Sequence, residues 1–224
     1  MTQPEKNLTE KESLDLIAKM ISQAKNSYHD TGRSAMLWGT VVAVCSLVKF
    51  TEIQLDYNLP FDIYWLTILA IIPQIFISRK ESKDRKVTTY DDIYMDYVWL
   101  GFGICIGLMI LIVNTMGYHW QPVAEEYSKL SGKESPFQLY EFVGPLFLVL
   151  YGMPTFITGA ACKFRPMLWG GIICWVCCVI TVFTPVKTDL LLIAFSAVFA
   201  WLIPGIIMER DYRSAKKGLA QANV

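Results

Sequence analysis

The stretch LLLIAFSAVFAWLIPGIIM, residues 190–208, runs nineteen residues without a charge. A hydrocarbon core of about 30 Å takes ~20 apolar helical residues to cross, so this stretch is of spanning length. Toward the N-terminus three more uncharged runs match it: Met167–Val186, Phe142–Cys162 and Tyr97–Gly117. Four such runs in 224 residues, with 54% apolar against 18% charged residues, exclude disorder, collagen and a disulfide mini-protein. The mean hydropathy of +0.37 agrees. The expected fold class is an all-α polytopic membrane protein.

Two weaker runs complete the pattern. Ser34–Val48 is uncharged but short before Lys49 and Glu52 interrupt it, and extending it to Leu55 makes a first span. Lysine's long stem lets its ammonium reach the headgroups near the far boundary. Asp56 to Pro60 then makes a tight turn, and Phe61 to Ser78 forms a second span stopped by RKESKDRK, residues 79–86. The predicted spans are 34–55, 61–78, 92–116, 137–162, 167–185 and 190–208, within a transmembrane domain over 33–208. Between the third and fourth, residues 117–136 form the longest polar connection. Pro122 to Gly132 reads there as a short separate helix with Val123, Tyr127 and Leu130 on one face, lying in the interface with Trp120.

Outside the spans, residues 1–32 open with the capping box Thr9-Glu10-Lys11-Glu12 and repeat apolar residues at Leu14, Ile17, Ile21, Ala24 and Tyr28. That pattern predicts a cytoplasmic amphipathic helix whose partner is left open among the body, the membrane surface and another subunit. Residues 209–224 form a basic tail. The formal charge is zero, so nothing points to nucleic acid, but placement is lopsided. Sixteen of the twenty Lys and Arg fall on the side of both termini, against Lys129, Lys133 and Lys187 on the other. That bias predicts both termini in the cytoplasm, which six spans satisfy. No apolar leader with a small-residue cleavage site begins the chain.

Recurring spacings suggest three tandem two-helix hairpins. Trp38-Gly39 precedes Pro73 by 35 residues and Trp169-Gly170 precedes Pro204 by the same interval, with Arg79 and Arg210 six residues further on. Trp99-Leu-Gly101 and Pro154 make a wider third pair. Chance is the competing account, because Trp favours interfaces and Pro is common in membrane helices. Pro73, Pro154 and Pro204 each delete a backbone hydrogen bond, predicting kinks at one depth that either curve the bundle, the preferred reading, or shape a cytoplasmic-facing cavity.

Two constellations could carry chemistry. Cys174-Trp-Val-Cys177-Cys178 has the C-x-x-C spacing of a thiol or soft-metal site. Gly170, Cys174 and Cys178, however, lie four apart on one face, where small residues let helices approach closely, so packing is the preferred reading. Gly103-x-x-x-Gly107 in the third span supports the same expectation of a helix-packing face. The second constellation is Lys49, Glu52, Asp62, Asn114 and Glu141, with His119, near the outer side. These form either a polar pocket around Lys49 or a solvated ring at the boundary. Glu52, three residues on, is the nearest partner of Lys49 by sequence. Only His29 and His119 exist, and no H-E-x-x-H, G-x-S-x-G or Walker motif occurs, so no catalytic residue, metal or cofactor is expected.

The amphipathic ESLDLIAKMISQAK, residues 12–25, with Leu37-Trp38-Gly39, the basic break at Ser78-Arg-Lys and Trp169-Gly-Gly-Ile-Ile-Cys-Trp175, resembles a family of small six-span membrane proteins of Bacteroidetes-type bacteria. The resemblance implies a bacterial inner-membrane location and assigns no activity. The sequence is thus expected to encode a non-enzymatic scaffold or sensor-like partner, embedded in the lipid bilayer and associating with itself or another subunit. A six-span body behind an amphipathic helix also looks like the membrane subunit of some ABC-2-type exporters, which would require a separate ATPase. A membrane thiol or metal protein is the third alternative.

Overall fold

The computed structural model of the chain describes residues 9, 14, 31–57, 59–84, 90–133, 135, 137 and 139–222. The amphipathic helix expected before the first span lies outside them, apart from Thr9, Leu14, Thr31 and Gly32. Among the described residues all regular structure is helical. The elements are α1 (Arg33–Leu55), α2 (Trp65–Leu69), α3 (Ile71–Asp84), α4 (Tyr90–Ser131), a 3-10 turn (Leu139–Phe142), α5 (Val143–Ala161), α6 (Arg165–Thr181), α7 (Val186–Ala197), a π-helical turn (Val198–Leu202) and α8 (Ile203–Ala222). Helix is the form hydrocarbon demands, because it satisfies every backbone polar group within one segment.

Four helical stretches are long and apolar enough to cross a membrane: Arg33–Leu55, Ile93–Ser131, Leu139–Ala161 and Val186–Ser214. The apolar α6 is shorter, at 17 residues. It lies antiparallel to α5 over most of its length. Gly159 meets the Leu168 backbone at one end, and the Cys178 thiol donates to the Pro145 carbonyl at 3.4 Å toward the other. The segment after the first turn runs back along α1 in the same way. The Cys45 thiol donates to the Ile63 carbonyl, and further down Trp38 Nε1 donates to Gln74 Oε1 at 3.1 Å. Gln74 Nε2 then donates to Ser34 Oγ at 3.0 Å.

Each proline leaves a different mark. Pro73 has no N–H for the Leu69 carbonyl, and its ring crowds that carbonyl, so α2 ends at Leu69 and the chain restarts as α3 after Ala70. Pro204 likewise abandons the carbonyl of Ala200, and the chain there is a π-helical turn in which the Ile203 N–H bonds the Val198 carbonyl five residues back. Pro154 stays inside α5 without a break. Beside it the Thr155 hydroxyl donates to the Tyr151 carbonyl at 2.7 Å and accepts Trp201 Nε1–H at 2.7 Å.

The sequence reading of residues 117–132 is corrected: α4 continues through Gly117 and Pro122 as one helix to Ser131. The carbonyl that Pro122 leaves unpaired belongs to Tyr118, which is exposed, so solvent can take the place of the missing donor. At 1.5 Å per residue the helix is roughly 63 Å long, about twice the hydrocarbon thickness. The final span and basic tail are also continuous, since α8 carries the helix from Ile203 to Ala222.

Glycine governs how closely the helices meet. A Cβ on Gly170 would lie 2.5 Å from Ala200 Cα, and one on Gly39 would lie 2.6 Å from Leu202 N. Thus α6 and α1 grip the π-helical turn from two sides. Gly32 holds a left-handed φ of 69° directly against Gly205, a backbone and a distance that admit no side chain. Within this framework Leu148, Cys174, Ala197, Ala200 and Trp201 form the core. The most intimate pair, α5 with α6, joins segments assigned to different hairpins of the tandem-repeat reading.

The glycines of α4 stand in contrast. A Cβ added at Gly101, Gly103 or Gly107 would meet nothing within 4 Å, and none of the most apolar 18-residue window of this helix is buried. It meets the bundle through Trp99 and Phe102, the latter 6.1 Å from Tyr151 and 6.0 Å from Trp201 between ring centroids, and again near Gly117 and Trp120, which lie against Tyr140 and Phe137. Gly159→Ala is therefore expected to destabilise the protein by about 1–3 kcal/mol, because the obstacle is Leu168 backbone that cannot rotate away. Gly103→Ala should leave the melting temperature of the detergent-solubilised monomer unchanged, and a loss equal to that of Gly159→Ala would refute this packing account.

Candidate functional site

Charged side chains gather at the two ends of the bundle. At the end where α1 finishes, the Lys49 ammonium lies 2.9 Å from Glu52 Oε2, an i,i+3 pair on α1. Glu52 Oε1 accepts the Leu59 N–H at 3.1 Å, while the Glu52 carbonyl accepts the Tyr57 N–H at 3.0 Å. One buried glutamate therefore neutralises a lysine and ties down the chain after α1, where Asp56 turns left-handed at φ 51°. The other sequence candidates are engaged elsewhere. Asp62 Oδ1 accepts the Tyr64 N–H at 3.0 Å, and Asn114 Nδ2 donates to the Ile110 carbonyl at 2.8 Å on exposed α4. Glu141 sits exposed in the 3-10 turn. Of the five, only Lys49 and Glu52 are brought into direct contact by the geometry described.

Asp189 is another carboxylate at this end, one that sequence reasoning missed. It is 3% exposed in the first turn of α7, faces Gly144 of α5, and its Oδ1 accepts the Thr184 hydroxyl at 2.6 Å. The visible signal was Thr184-Pro185 followed by an acid in the first helical turn, where the helix dipole favours negative charge.

The opposite end, where α1 starts, holds the denser cluster, also missed from sequence. Glu209 on α8 is 6% exposed, and its Oε1 receives Arg213 Nη2 at 2.8 Å and Arg33 Nη2 at 3.2 Å. One carboxylate thus binds two guanidiniums, one from its own helix and one from the start of α1. The i,i+4 spacing of Glu209 and Arg213 was legible, but the 176-residue link to Arg33 was not. Beside it the Thr31 hydroxyl donates to Glu81 of α3, so three separated segments are joined by polar bonds at this end.

The thiols sit away from both clusters. Cys174 and Cys177 are buried between helices, Cys178 is half-buried, and all three are free. Among the described residues no three His, Cys, Asp or Glu side chains are grouped to hold a metal ion. Gly170 lies at the π-helical turn described above, one helical turn from Cys174, whereas Gly103 and Gly107 face open space.

Comparison with known protein families, curated proteins and solved structures finds no match to this chain. Its class therefore rests on its own features: an all-helical chain with four helices long and apolar enough to cross a membrane.

Removing Glu209 would leave two guanidiniums facing each other at a helix crossing. Glu209→Gln should lower stability by about 2 kcal/mol, below the ~3–5 of a fully buried pair because Arg33 is 38% exposed. Arg213→Gln, at a site 70% exposed, should cost under about 1 kcal/mol in the same thermal unfolding assay.

Proposed function

We propose that this chain is a six-span bacterial inner-membrane protein with both termini cytoplasmic, acting as a non-enzymatic scaffold or sensor-like partner that associates with a second copy through α4. The carrying observation is the uncovered apolar middle of α4. A helix far longer than a membrane crossing leaves its most apolar window entirely unburied, with Gly103, exposed Cys105 and Gly107 along it. Hydrophobicity gives no drive for helix association in lipid, so close packing at small residues supplies it. The four qualifying helices, with α6 lying along α5 and the α2–α3 segment lying along α1, support six crossings.

Charge placement supports the orientation. Arg33, Arg79, Lys80, Arg210 and Arg213 share one end of the bundle, whereas Glu52, Asp62, Glu141 and Asp189 share the other. Reporter fusions at Tyr127 and at the C-terminus should report opposite sides of the membrane, the C-terminal one cytoplasmic; the same side for both would overturn the topology.

The Gly103–Gly107 face offers a direct test of association, whereas Cys105 lies on the opposite face of α4. Oxidation of native membranes should link two copies through Leu111→Cys, exposed on that face, in a Cys105→Ser background, and adding Gly103→Leu should abolish the linked dimer. An unlinked protein that instead copurifies stoichiometrically with an ATPase would favour the transporter-subunit reading, and the scaffold proposal would fall.

A further inference from the structure

A cavity of about 220 Å³ opens at the inner end, where the start of α1, the end of α3 and α8 converge. Its polar wall carries Arg33, Lys80, Thr31 and Glu81, and its apolar wall carries Phe76 and Ile77, with Tyr212 at the α8 side. The cavity is thus amphiphilic, and charge accounting gives it a sign. Glu209 is shared between Arg33 and Arg213, leaving one positive charge in excess, and the Arg213 bonds are the shorter, so Arg33 is the less tightly held of the two. Glu81 offsets one further cation, and no ion pair to Lys80 forms among the described residues. The wall is net positive. On its other side Phe76 is 67% exposed and Ile72 56% exposed, continuing the apolar face of α3 toward the middle of the membrane.

We propose that this cavity seats the phosphate of an anionic glycerophospholipid, with Arg33 and Lys80 holding the phosphate oxygens and an acyl chain lying over Phe76 and Ile72. Basic pockets between membrane helices are suited to anionic headgroups, because the ion pair forms at the boundary while the chains stay in hydrocarbon. The volume suits that division. It falls below the ~300–1,000 Å³ typical of sites that enclose a whole small molecule, so it takes a headgroup and leaves the chains outside. Guanidinium and ammonium together supply the charge-assisted hydrogen bonds that phosphate oxygens accept. The site stands on its own geometry and is independent of the scaffold reading.

The test is native mass spectrometry and binding titration of the full chain in detergent, with phosphatidylglycerol as the probe, phosphatidylcholine as the neutral control and inorganic phosphate as the headless competitor. The wild-type protein should retain one phosphatidylglycerol in preference to phosphatidylcholine. Lys80→Glu, at an exposed position, should weaken that binding about tenfold or more, and Lys80→Arg should restore it. The outer-end control Lys129→Glu should change nothing. Phe76→Ser should weaken lipid binding without altering the melting temperature. Equal retention of the two lipids, or phosphatidylglycerol affinity unchanged in Lys80→Glu, would overturn the site. Displacement of the lipid by millimolar inorganic phosphate, with Phe76→Ser indistinguishable from wild type, would overturn the lipid as ligand and assign the cavity to free phosphate.

Discussion

Everything in this bundle turns on backbone-to-backbone closeness at the Val198–Leu202 turn. Pro204 denies the Ala200 carbonyl its usual donor, and the helix there widens to a π-helical turn. Gly39 and Gly170 let α1 and α6 press against that widened turn, each closer than any side chain would allow. Both glycines follow a tryptophan. In a medium as apolar as the side chains themselves, van der Waals contact of this kind replaces the hydrophobic effect as the force joining helices. Trp201, carried on the same turn, reaches across to Thr155 and so couples α8 to the second internal proline.

The polar bonds are organised around that crossing. Where α1 starts, Glu209 binds Arg33 just beyond the Gly32–Gly205 contact, so the helix approach and the ion pair reinforce each other. At the opposite end Glu52 and Asp189 each engage the turn next to their own helix, through Leu59 and Thr184. Buried carboxylates in this protein serve as fasteners between segments, and each has a donor close by, as a low-dielectric setting requires. The basic cavity is different in kind, because its cations exceed its carboxylates and its second wall is apolar. That imbalance makes it the place where the molecule meets something other than itself.

The all-helical chain and the presence of helices long and apolar enough to cross a membrane were legible from residue chemistry, because lipid imposes a length and an absence of charge that can be counted directly. So was the nearness of Lys49 to Glu52, which is fixed by helical spacing alone. The break expected at Gly117–Pro122 was not, since α4 runs on through Pro122 to Ser131, and whether a helix continues past an internal proline depends on what surrounds it, which is a tertiary property. Gly170 and Gly103 read alike in the sequence, as small residues spaced four apart on apolar helices, yet one lies against Ala200 and the other meets none of the described residues.

What the sequence determined by itself is therefore local: which stretches are apolar and helical, the uneven distribution of cations, and the pairs that one helix can make with itself. What only the tertiary structure decided is which helices meet, and with it the Arg33–Glu209 link, the burial of Asp189 and the cavity between α1, α3 and α8. The reason is physical. Periodicity along a helix sets what its own faces carry, but the choice of neighbour depends on shape complementarity between helices far apart in the chain, and no spacing within a single segment encodes that.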